Sequence, residues 1–550
     1  MRRPPGAVWG IAVGALLLFT PAAWWGLPII DGRAAERGWA VDDETPLGTL
    51  AEVRNLIVPS PDRNLGYPLF YTFASAAVYA PYLVYLRVTG RFAQPSAEYP
   101  YGLADATSSL RTMALLSRVL TLLFASAIVV AAYGIGRTVW DHAVGVLGAV
   151  AAAVMYPMAY YSRTGNVDAP MLGLAALALM VLAIIHRDGM TRRRAMAFGV
   201  LAGLSLATKE AALGLFLAMP YFVATSGRNG AIAWRWWRLA ALVALAALAV
   251  GSGLAVDPER YVAHLRFIAG LGDSSLQMRT DLGSFPMSLA GHWQYLRFIV
   301  ARLADILTLP GFVLAVAGVG LTAWQAPRKA ALALPCLTYL AFVFVLLRWG
   351  QLRYLLPAAF VLTLYIGVAL VAAWRSRRLA VRTAGVTLGA LALGLNGLRY
   401  ADLTHAMLND SRYAAADWLA TRLEPGDRIE YFGAAQKLPR LPAGVTVTLA
   451  APYHGMFASY DTSAARADDL LQAWETRRPD LILVIPDHSS RPPHAPYDAT
   501  VPPSLFHRLE SDSASYRRVA MFQTPPLLPW VRRPPLDYPV VNPPVRVYGR

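Results

Sequence analysis

Long apolar runs separated by short polar connections dominate the first 400 residues of the chain. Residues 240–256 and 308–325, for example, contain no charged side chain and are long enough to cross the hydrocarbon core of a bilayer as helices. Runs of this kind predict about eleven transmembrane helices. The predicted spans are residues 6–27, 113–133, 143–160, 169–185, 195–207, 211–223, 239–254, 295–323, 330–347, 354–373 and 381–395.

The first run follows two arginines, as the apolar part of a signal peptide does. It is long for a cleaved signal and further spans follow it, so we expect an uncleaved first helix that starts on the inner side. Segment 67–86 is also apolar, but it contains two prolines and five tyrosines. If this segment does not cross, the arginine-rich connections fall on the inner side, as the positive-inside rule requires. We therefore expect it to form an interfacial helix on the outer surface.

This sidedness places residues 28–112 and 257–294 outside as two loops of a transmembrane module, residues 1–399. The tail, residues 400–550, also lies outside and is more polar and rich in proline. Its pattern predicts helices at 414–422 and 463–476 and strands at 428–432, 445–449 and 481–485, followed by an extended segment. The expected fold is thus an α-helical polytopic membrane protein with surface helices and a small α/β extracytoplasmic domain.

Composition supports this interpretation, because 56% of the residues are hydrophobic and only 15% are charged. The formal net charge of +16 does not indicate nucleic-acid binding, since the arginines cluster between apolar runs and form no basic patch with aromatics. Cys336 is the only cysteine, which excludes a disulfide within the chain and a cysteine-based metal site. Only three lysines are present, so Lys209 at the edge of a span is notable.

Charged residues also occur at the predicted outer ends of spans, where they are costly unless paired or facing water. Carboxylates there could accept a proton or bind a divalent cation, and basic groups could bind a phosphate. The residues are Asp43, Glu44, Arg163, Asp168, Lys209, Glu210, Arg348 and Arg353.

Each of these residues also has a structural interpretation. Asp43 and Glu44 could belong to a solvated loop, and Asp168 could interact only with its helix dipole. Arg348 and Arg353 could be snorkelling anchors, while Lys209 and Glu210 could form a local ion pair. The histidines of the second outer loop, His264 and His292, are expected to be surface residues. The convergence of the charged residues on one face and one depth favours a site.

In order and sidedness, these features resemble the GT-C class of membrane glycosyltransferases, close to glycosyltransferase family 39 and its dolichyl-phosphate-mannose-type and aminoarabinose-type relatives. The resemblance covers roughly residues 1–400. Tyr67-Pro68-Leu69 departs from the basic residue and Pro-Pro-Leu of many relatives, and we include Tyr67 among the candidate substrate contacts. The matching segments are VDDETPLGTLAEVRNLI with Asp43-Glu44, GYPLFYTF, YGIGRTVWD, YPMAYYSRTGNVDAPML with Arg163 and Asp168, LAGLSLATKEAAL with Lys209, and RWGQLRYLLPA with Arg348 and Arg353.

The resemblance implies inverting transfer of a sugar from a polyprenyl-phosphate donor to an unspecified acceptor: a lipid, a protein or a polysaccharide. Asp43 would be the general base, with Glu44 supporting its loop. Lys209 and Arg353, with Arg163 or Arg348, would compensate the phosphate charge. Asp168 would orient the acceptor or, with Asp43, hold Mg²⁺ or Mn²⁺. The implied location is the bacterial inner membrane, with the site on the periplasmic side.

Three other functions remain open at this stage. A secondary transporter would carry intramembrane charges too, but near the midplane between repeated halves, and the sequence shows no repeat. A flippase or polymerase for lipid-linked sugars would bind the same kind of lipid without requiring a base. A sensor would act through its outer domain.

Overall fold

The computed structural model describes most of the chain, and the described residues form two compact units. One unit contains Met1–Ala23, Pro46–Pro81 and Leu116–Ala401, and the other contains Trp24–Thr45, Tyr82–Leu115 and Asp402–Arg550. Two stretches of the predicted first outer loop thus group with the tail. The residues described are 5–29, 38–40, 43–58, 60, 63–226, 233–269, 271, 285–433, 435–450, 464–485, 501–511, 515–534 and 541–550.

Helices make up nearly all the regular structure before residue 410. Within the described residues, six of them are long and apolar enough to cross a membrane, or seven if one bent pair counts as a span, and the chain is an integral membrane protein. The helices are Pro5–Phe19, Pro46–Asn55, Phe70–Val88, Ala106–Val139, His142–Ala153, Met158–Tyr161, Asp168–Asp188, Arg192–Thr208, Leu213–Phe216, Met219–Thr225, Trp234–Gly251, Pro258–Ile268, Leu289–Leu307, Leu309–Gln325, Pro327–Ala330, Leu334–Phe342, Leu356–Trp374 and Leu379–Leu408, with tighter or wider turns at Glu210–Ala212, Ala331–Ala333, Val343–Leu347 and Leu352–Leu355.

Each predicted span contains a helix, but the predicted count of about eleven is not confirmed. Gly6–Phe19, His142–Ala153 and Glu210–Thr225 are apolar but shorter than a full span. The predicted span 295–323 consists of two helices, Leu289–Leu307 and Leu309–Gln325, that meet at an angle of 104°. Thr308 causes the break: its φ of 64° interrupts the first helix, and its side chain accepts a hydrogen bond from Gly311 N and caps the second.

Small residues allow the helices around the site to approach closely. Gly203, near the end of Arg192–Thr208, lies against Trp234–Gly251, and a Cβ there would stand 2.3 Å from the carbonyl oxygen of Ala244. Apolar helices gain little from the hydrophobic effect in lipid, so close packing of this kind holds them together. The contact fixes the helix after which Lys209 follows.

The tail contains a five-stranded sheet of order β2-β1-β3-β5-β4. Strands β1, β2 and β3 are parallel, while β5 runs antiparallel between β3 and β4. Helices Ser411–Ala420, Ala464–Arg477 and Pro503–Glu510 supply residues to the cores on its two faces. The strands are β1 Arg428–Phe432, β2 Thr446–Leu449, β3 Leu481–Val484, β4 Arg517–Phe522 and β5 Val545–Gly549.

The predicted strands of the tail are confirmed within a residue at each end. Strands β4 and β5 and helix Pro503–Glu510 lie in the segment that the sequence analysis treated as extended, so that part of the prediction was wrong. Parts of this segment, residues 486–500, 512–514 and 535–540, lie outside the described residues.

Candidate active site

Asp168, Lys209 and Arg353 meet within the first unit, and we call them the Asp168 cluster. Lys209 Nζ donates to Asp168 Oδ1 at 2.6 Å, and Arg353 Nη1 lies 3.9 Å from Asp168 Oδ2. The three side chains are buried, with exposures of 5% or less. Among the described residues, Asp168 Oδ2 has no hydrogen-bond partner. A buried acceptor atom without a hydrogen-bond partner destabilises the folded protein, and a ligand that donates a hydrogen bond to it would remove that destabilisation.

Each member of the cluster stands at the end of a helical element. Asp168 begins helix Asp168–Asp188, and its amide is held by Asn166 Oδ1 at 2.7 Å. Lys209 follows helix Arg192–Thr208 in an extended conformation, with φ −162° and ψ 125°. Arg353 lies in the short turn Leu352–Leu355, where its Nε donates to Gln351 Oε1 at 2.9 Å. Helix ends place charged side chains at the edge of an apolar bundle without interrupting its interior.

Two tyrosines complete the surroundings of Lys209. The ammonium lies 4.5 Å from the ring centroid of Tyr354 and 5.5 Å from that of Tyr67. The guanidinium of Arg353 lies 5.6 Å from the Tyr354 ring. Aromatic faces attract cations and exclude water, so the rings stabilise both charges and fix the direction of Lys209. The structure thus brings together four of the candidate residues: Asp168, Lys209, Arg353 and Tyr67.

Arg163 makes a different set of contacts. Its guanidinium donates to the carbonyl oxygens of Phe19, Leu18 and Ala159 and to the hydroxyl of Tyr400, at 2.7–3.1 Å. All three of its nitrogens are therefore engaged, and the side chain is fully buried. Arg163 joins the first helix to its neighbours in the first unit.

Arg348 is held by backbone at two of its three nitrogens, while its buried Nη1 has no hydrogen-bond partner among the described residues. Its Nε and Nη2 donate to the carbonyl oxygens of Phe285 and Pro286, at 2.6–3.2 Å. Its own backbone adopts a left-handed conformation, with φ 52°, at the end of a wide helical turn. Because all the nitrogens of Arg163 are engaged, we give it no part in the phosphate contact proposed below. A phosphate contact by Arg348 stays a prediction.

Asp43 and Glu44 belong to the second unit, and both side chains are half-buried. Their segment is anchored upstream by Trp39, whose ring packs 3.9 Å from the Arg412 guanidinium and whose carbonyl oxygen accepts from Lys437 Nζ at 2.6 Å. The carboxylate of Asp43 lies close to Gly38, the residue before Trp39. That Asp43 and Asp168 face one cavity stays a prediction.

The structure corrects two interpretations of the residues next to the cluster. Lys209 does not form its ion pair with Glu210, because Lys209 pairs with Asp168 and Glu210 with His264. His264 is not a surface residue: it is fully buried, and its Nδ1 lies 2.7 Å from Leu65 O. His292 is partly exposed, as expected.

Arg260 is a further buried charge that was not predicted from the sequence. It pairs with Glu52 and donates to the carbonyl oxygens of Asn64 and Tyr67. The signal was present, since Asp-Pro-Glu starting at Asp257 is typical of a helix N-terminus. Arg260 and His264 are then four residues apart, on one face of helix Pro258–Ile268.

A metal site at Asp43 and Asp168 has no further support. The described residues contain no group of three His, Cys, Asp or Glu side chains that could hold a metal ion. Within the first unit, Asp168 stands beside two cationic side chains, which would oppose a third positive charge. The prediction of Mg²⁺ or Mn²⁺ stays a prediction, and no step below depends on it.

Comparison with known families bears on the segment that carries Asp168 and Lys209. Residues 110–252 match the family described as dolichyl-phosphate-mannose-protein mannosyltransferase. This segment of the chain is therefore similar to GT-C glycosyltransferases. The match, about a quarter of the chain, includes Arg163, Asp168 and Lys209, whereas Arg353 and the second unit's sheet lie beyond it.

A comparison with curated proteins finds no significant match. Solved structures similar to this chain include ArnT from Cupriavidus metallidurans in the apo state, at 13% identity and a TM-score of 0.49, covering 99% of this chain and 97% of that one. The oligosaccharyltransferase AglB from Archaeoglobus fulgidus is 12% identical, with a TM-score of 0.44 and coverage of 87% and 69%.

A cavity of about 570 Å³ lies in the second unit. Arg111 and Arg440 line it together with hydroxyl groups and two leucines, and none of the candidate site residues takes part. The chemistry considered below is therefore based on the Asp168 cluster.

Proposed function

We propose that the protein transfers a sugar from a polyprenyl-phosphate donor to an acceptor hydroxyl or amine at the extracytoplasmic face of the membrane, with inversion at the anomeric carbon. The observation that carries the proposal is the meeting of Asp168, Lys209 and Arg353, two of which lie in the family-matched segment. We further propose that the membrane is a bacterial inner membrane, because the excess of arginine over lysine and the single cysteine are typical of bacteria with GC-rich genomes.

The leaving group explains why two cations would meet here. A lipid phosphate departs as an anion, so it needs charge compensation and no general acid. Arg353 offers a planar fork that matches two phosphate oxygens, and Lys209 offers a compact charge. Because both are already held by Asp168 and the Tyr354 ring, little reorganisation is required when the phosphate arrives.

The acceptor must lose a proton as it attacks. We assign this step to Asp43, a carboxylate that would receive the proton as the new glycosidic bond forms and the bond to phosphate breaks. A general base of this kind contributes roughly 10²–10⁴ in rate. Asp168 Oδ2, the acceptor atom without a partner among the described residues, would take a hydrogen bond from a second hydroxyl and orient the acceptor or the sugar.

The donor has a long isoprenoid tail, so its phosphate must be reached from the lipid side. Helix Phe70–Val88 follows Tyr67 directly and carries tyrosines along its length. We propose that it borders the entry path, with Tyr67 at its inner end beside Lys209.

The first test is Asp43→Asn in the purified protein in nanodiscs, supplied with a labelled polyprenyl-phosphate sugar and membrane lipids as acceptors. Transfer should fall by roughly 10²–10⁴, because the proton has no base to receive it. Binding of polyprenyl phosphate should be unchanged, since Lys209 and Arg353 are intact. Lys329→Ala, which removes an exposed lysine, is the matched control and should behave as the wild type.

Unchanged transfer by Asp43→Asn would contradict the assigned base. Accumulation of an intact solute or lipid-linked sugar across the bilayer, without formation of a new glycosidic bond, would favour a transporter or a flippase instead.

A further inference from the structure

We propose that His264 is a positioning residue, whose doubly protonated ring holds Tyr67 and Lys209 in the arrangement that receives the donor phosphate. The inference rests on the proposed function, because it concerns how the Asp168 cluster is kept in place. His264 lies in helix Pro258–Ile268, within the predicted second outer loop, so the inference assigns a role to that loop.

Residues 64–67 are held by several hydrogen bonds to their backbone. Glu52 Oε1 accepts from Asn64 N at 2.7 Å, and Arg260 donates to Asn64 O and, at 2.9 Å, to Tyr67 O. His264 Nδ1 lies 2.7 Å from Leu65 O, in the middle of the segment. Backbone held at both ends and the middle has little freedom, so these contacts determine where the Tyr67 ring lies relative to Lys209.

The partners of the His264 ring define its charge. Nδ1 faces the carbonyl oxygen of Leu65, and Nε2 faces a carboxylate oxygen of Glu210. When Glu210 is ionised, both partners are acceptors, and a neutral imidazole has one N–H, so both hydrogen bonds form together only when the ring carries two protons. His264 is fully buried, and water cannot replace a bond that is lost.

Both hydrogen-bond partners of the His264 ring are close to Lys209. Glu210 is the next residue in the chain, at the start of the turn Glu210–Ala212. Leu65 is two residues from Tyr67, whose ring faces the Lys209 ammonium. Loss of one ring proton therefore releases either the backbone beside Lys209 or the segment that ends in Tyr67.

Tyr261 and Arg260 are the other titratable side chains of the same helix near this ring. Burial, and then the charge of Glu210, raise the pKa of Tyr261, whose ring centroid lies 6.0 Å from that of His264. Arg260 on the same helix is paired with Glu52. Of the residue types around this ring, histidine is the one that ordinarily changes charge near neutrality, so we expect the arrangement to depend on pH.

The test compares pH profiles of kcat/KM for the donor in the wild type, His264→Gln and Glu210→Gln. The wild type should lose activity at alkaline pH, because the two hydrogen bonds of the His264 ring require both ring protons. His264→Gln should lower kcat/KM roughly 10-fold, mostly through the KM of the donor, and should lack that alkaline loss. Glu210→Gln preserves the shape of the acceptor but removes its charge, so the alkaline loss should move to lower pH.

His292→Gln is the matched control, since His292 is partly exposed and bonds Ser288 O of its own helix. It should reproduce the wild-type profile. Elution position and thermal unfolding in nanodiscs would show whether each variant folds. Glu210→Gln changes no side-chain volume and keeps the proposal testable if His264→Gln does not fold.

Two results would overturn the inference while leaving the proposed function intact: a wild-type profile in His264→Gln, or an unshifted alkaline loss in Glu210→Gln. Failure of the proposed function would look different, because the wild type would then transfer no sugar at any pH. In that case, the affinity for polyprenyl phosphate measured over the same pH range tests the inference. An affinity with the same pH dependence in the wild type and His264→Gln would contradict it.

Discussion

At the residue scale, the buried pair of Lys209 and Asp168 is the contact on which the site depends. The side chains are only 5% and 2% exposed, so water cannot solvate either charge if its partner is removed. Removing one member of a buried pair leaves an uncompensated charge and costs about 3–5 kcal/mol. Removing both charges together with isosteric neutral groups costs much less.

A double-mutant cycle with Asp168→Asn and Lys209→Met measures this coupling. Each single substitution should destabilise the protein by about 3–5 kcal/mol, and the double substitution by less than the sum of the two. Thermal or denaturant unfolding in a defined detergent provides the measurement. Additive effects, within about 0.5 kcal/mol, would contradict the pairing.

Sequence reasoning identified Asp168, Lys209 and Arg353 because each is a charge at the edge of an apolar run. It did not single out His264 or Arg260, since both lie in a polar loop where charged residues are ordinary. The sequence signals the start of helix Pro258–Ile268, but only the structure shows that His264 is buried against Glu210 and Leu65. A charged residue beside an apolar run stands out in the sequence, whereas a charged residue in a polar loop that becomes buried only on folding does not.

At the element scale, Asp257 fixes the start of helix Pro258–Ile268. Its carboxylate accepts from Arg260 N at 3.0 Å and is paired with Arg63. Burial opposes ionisation, but the hydrogen bonds and charges of Arg63 and Arg260 outweigh it and lower the pKa of this carboxyl. A lowered folded-state pKa means that the stabilisation is complete above the ordinary value of about 3.9 and is lost as pH falls through the folded-state value.

We therefore expect the helix Pro258–Ile268 to open more readily below about pH 4, and Asp257→Ala to destabilise it by about 1 kcal/mol at neutral pH. Amide hydrogen exchange of this helix, corrected for intrinsic rates, measures both effects. Glu259→Gln, which changes the exposed neighbouring acid, should leave the acid dependence unchanged. If Asp257→Ala retains the wild-type acid dependence, another group controls the helix.

The missed elements have physical causes. Strand β5 pairs with β3 and β4, which are distant in sequence, and its own segment is short and preceded by prolines. Strand β4 stands at the edge of the sheet and begins with two arginines, a pattern that protects sheet edges but hides the strand from hydrophobic periodicity. The helix break at Thr308 could have been predicted from the sequence Thr-Leu-Pro. In this sequence a threonine that can cap a helix precedes a proline in the first turn of helix Leu309–Gln325.

At the scale of the whole molecule, composition and the pattern of apolar runs were sufficient to predict a helical membrane protein with a small α/β tail. Apolar runs are long-range averages over many residues, so errors at single positions do not change them. The grouping of Trp24–Thr45 and Tyr82–Leu115 with the tail was not predictable, since it depends on contacts such as that of Trp39 with Arg412.

The central claim is that the Asp168 cluster binds a lipid phosphate, and equilibrium binding tests it most directly. Polyprenyl phosphate and the uncharged polyprenol should be titrated against the wild type, Lys209→Ala, Arg353→Ala and the Lys329→Ala control. The account predicts that the wild type and the control prefer the phosphate by about 10-fold or more, and that Lys209→Ala and Arg353→Ala lose most of this preference. Equal preference in all four proteins would contradict it.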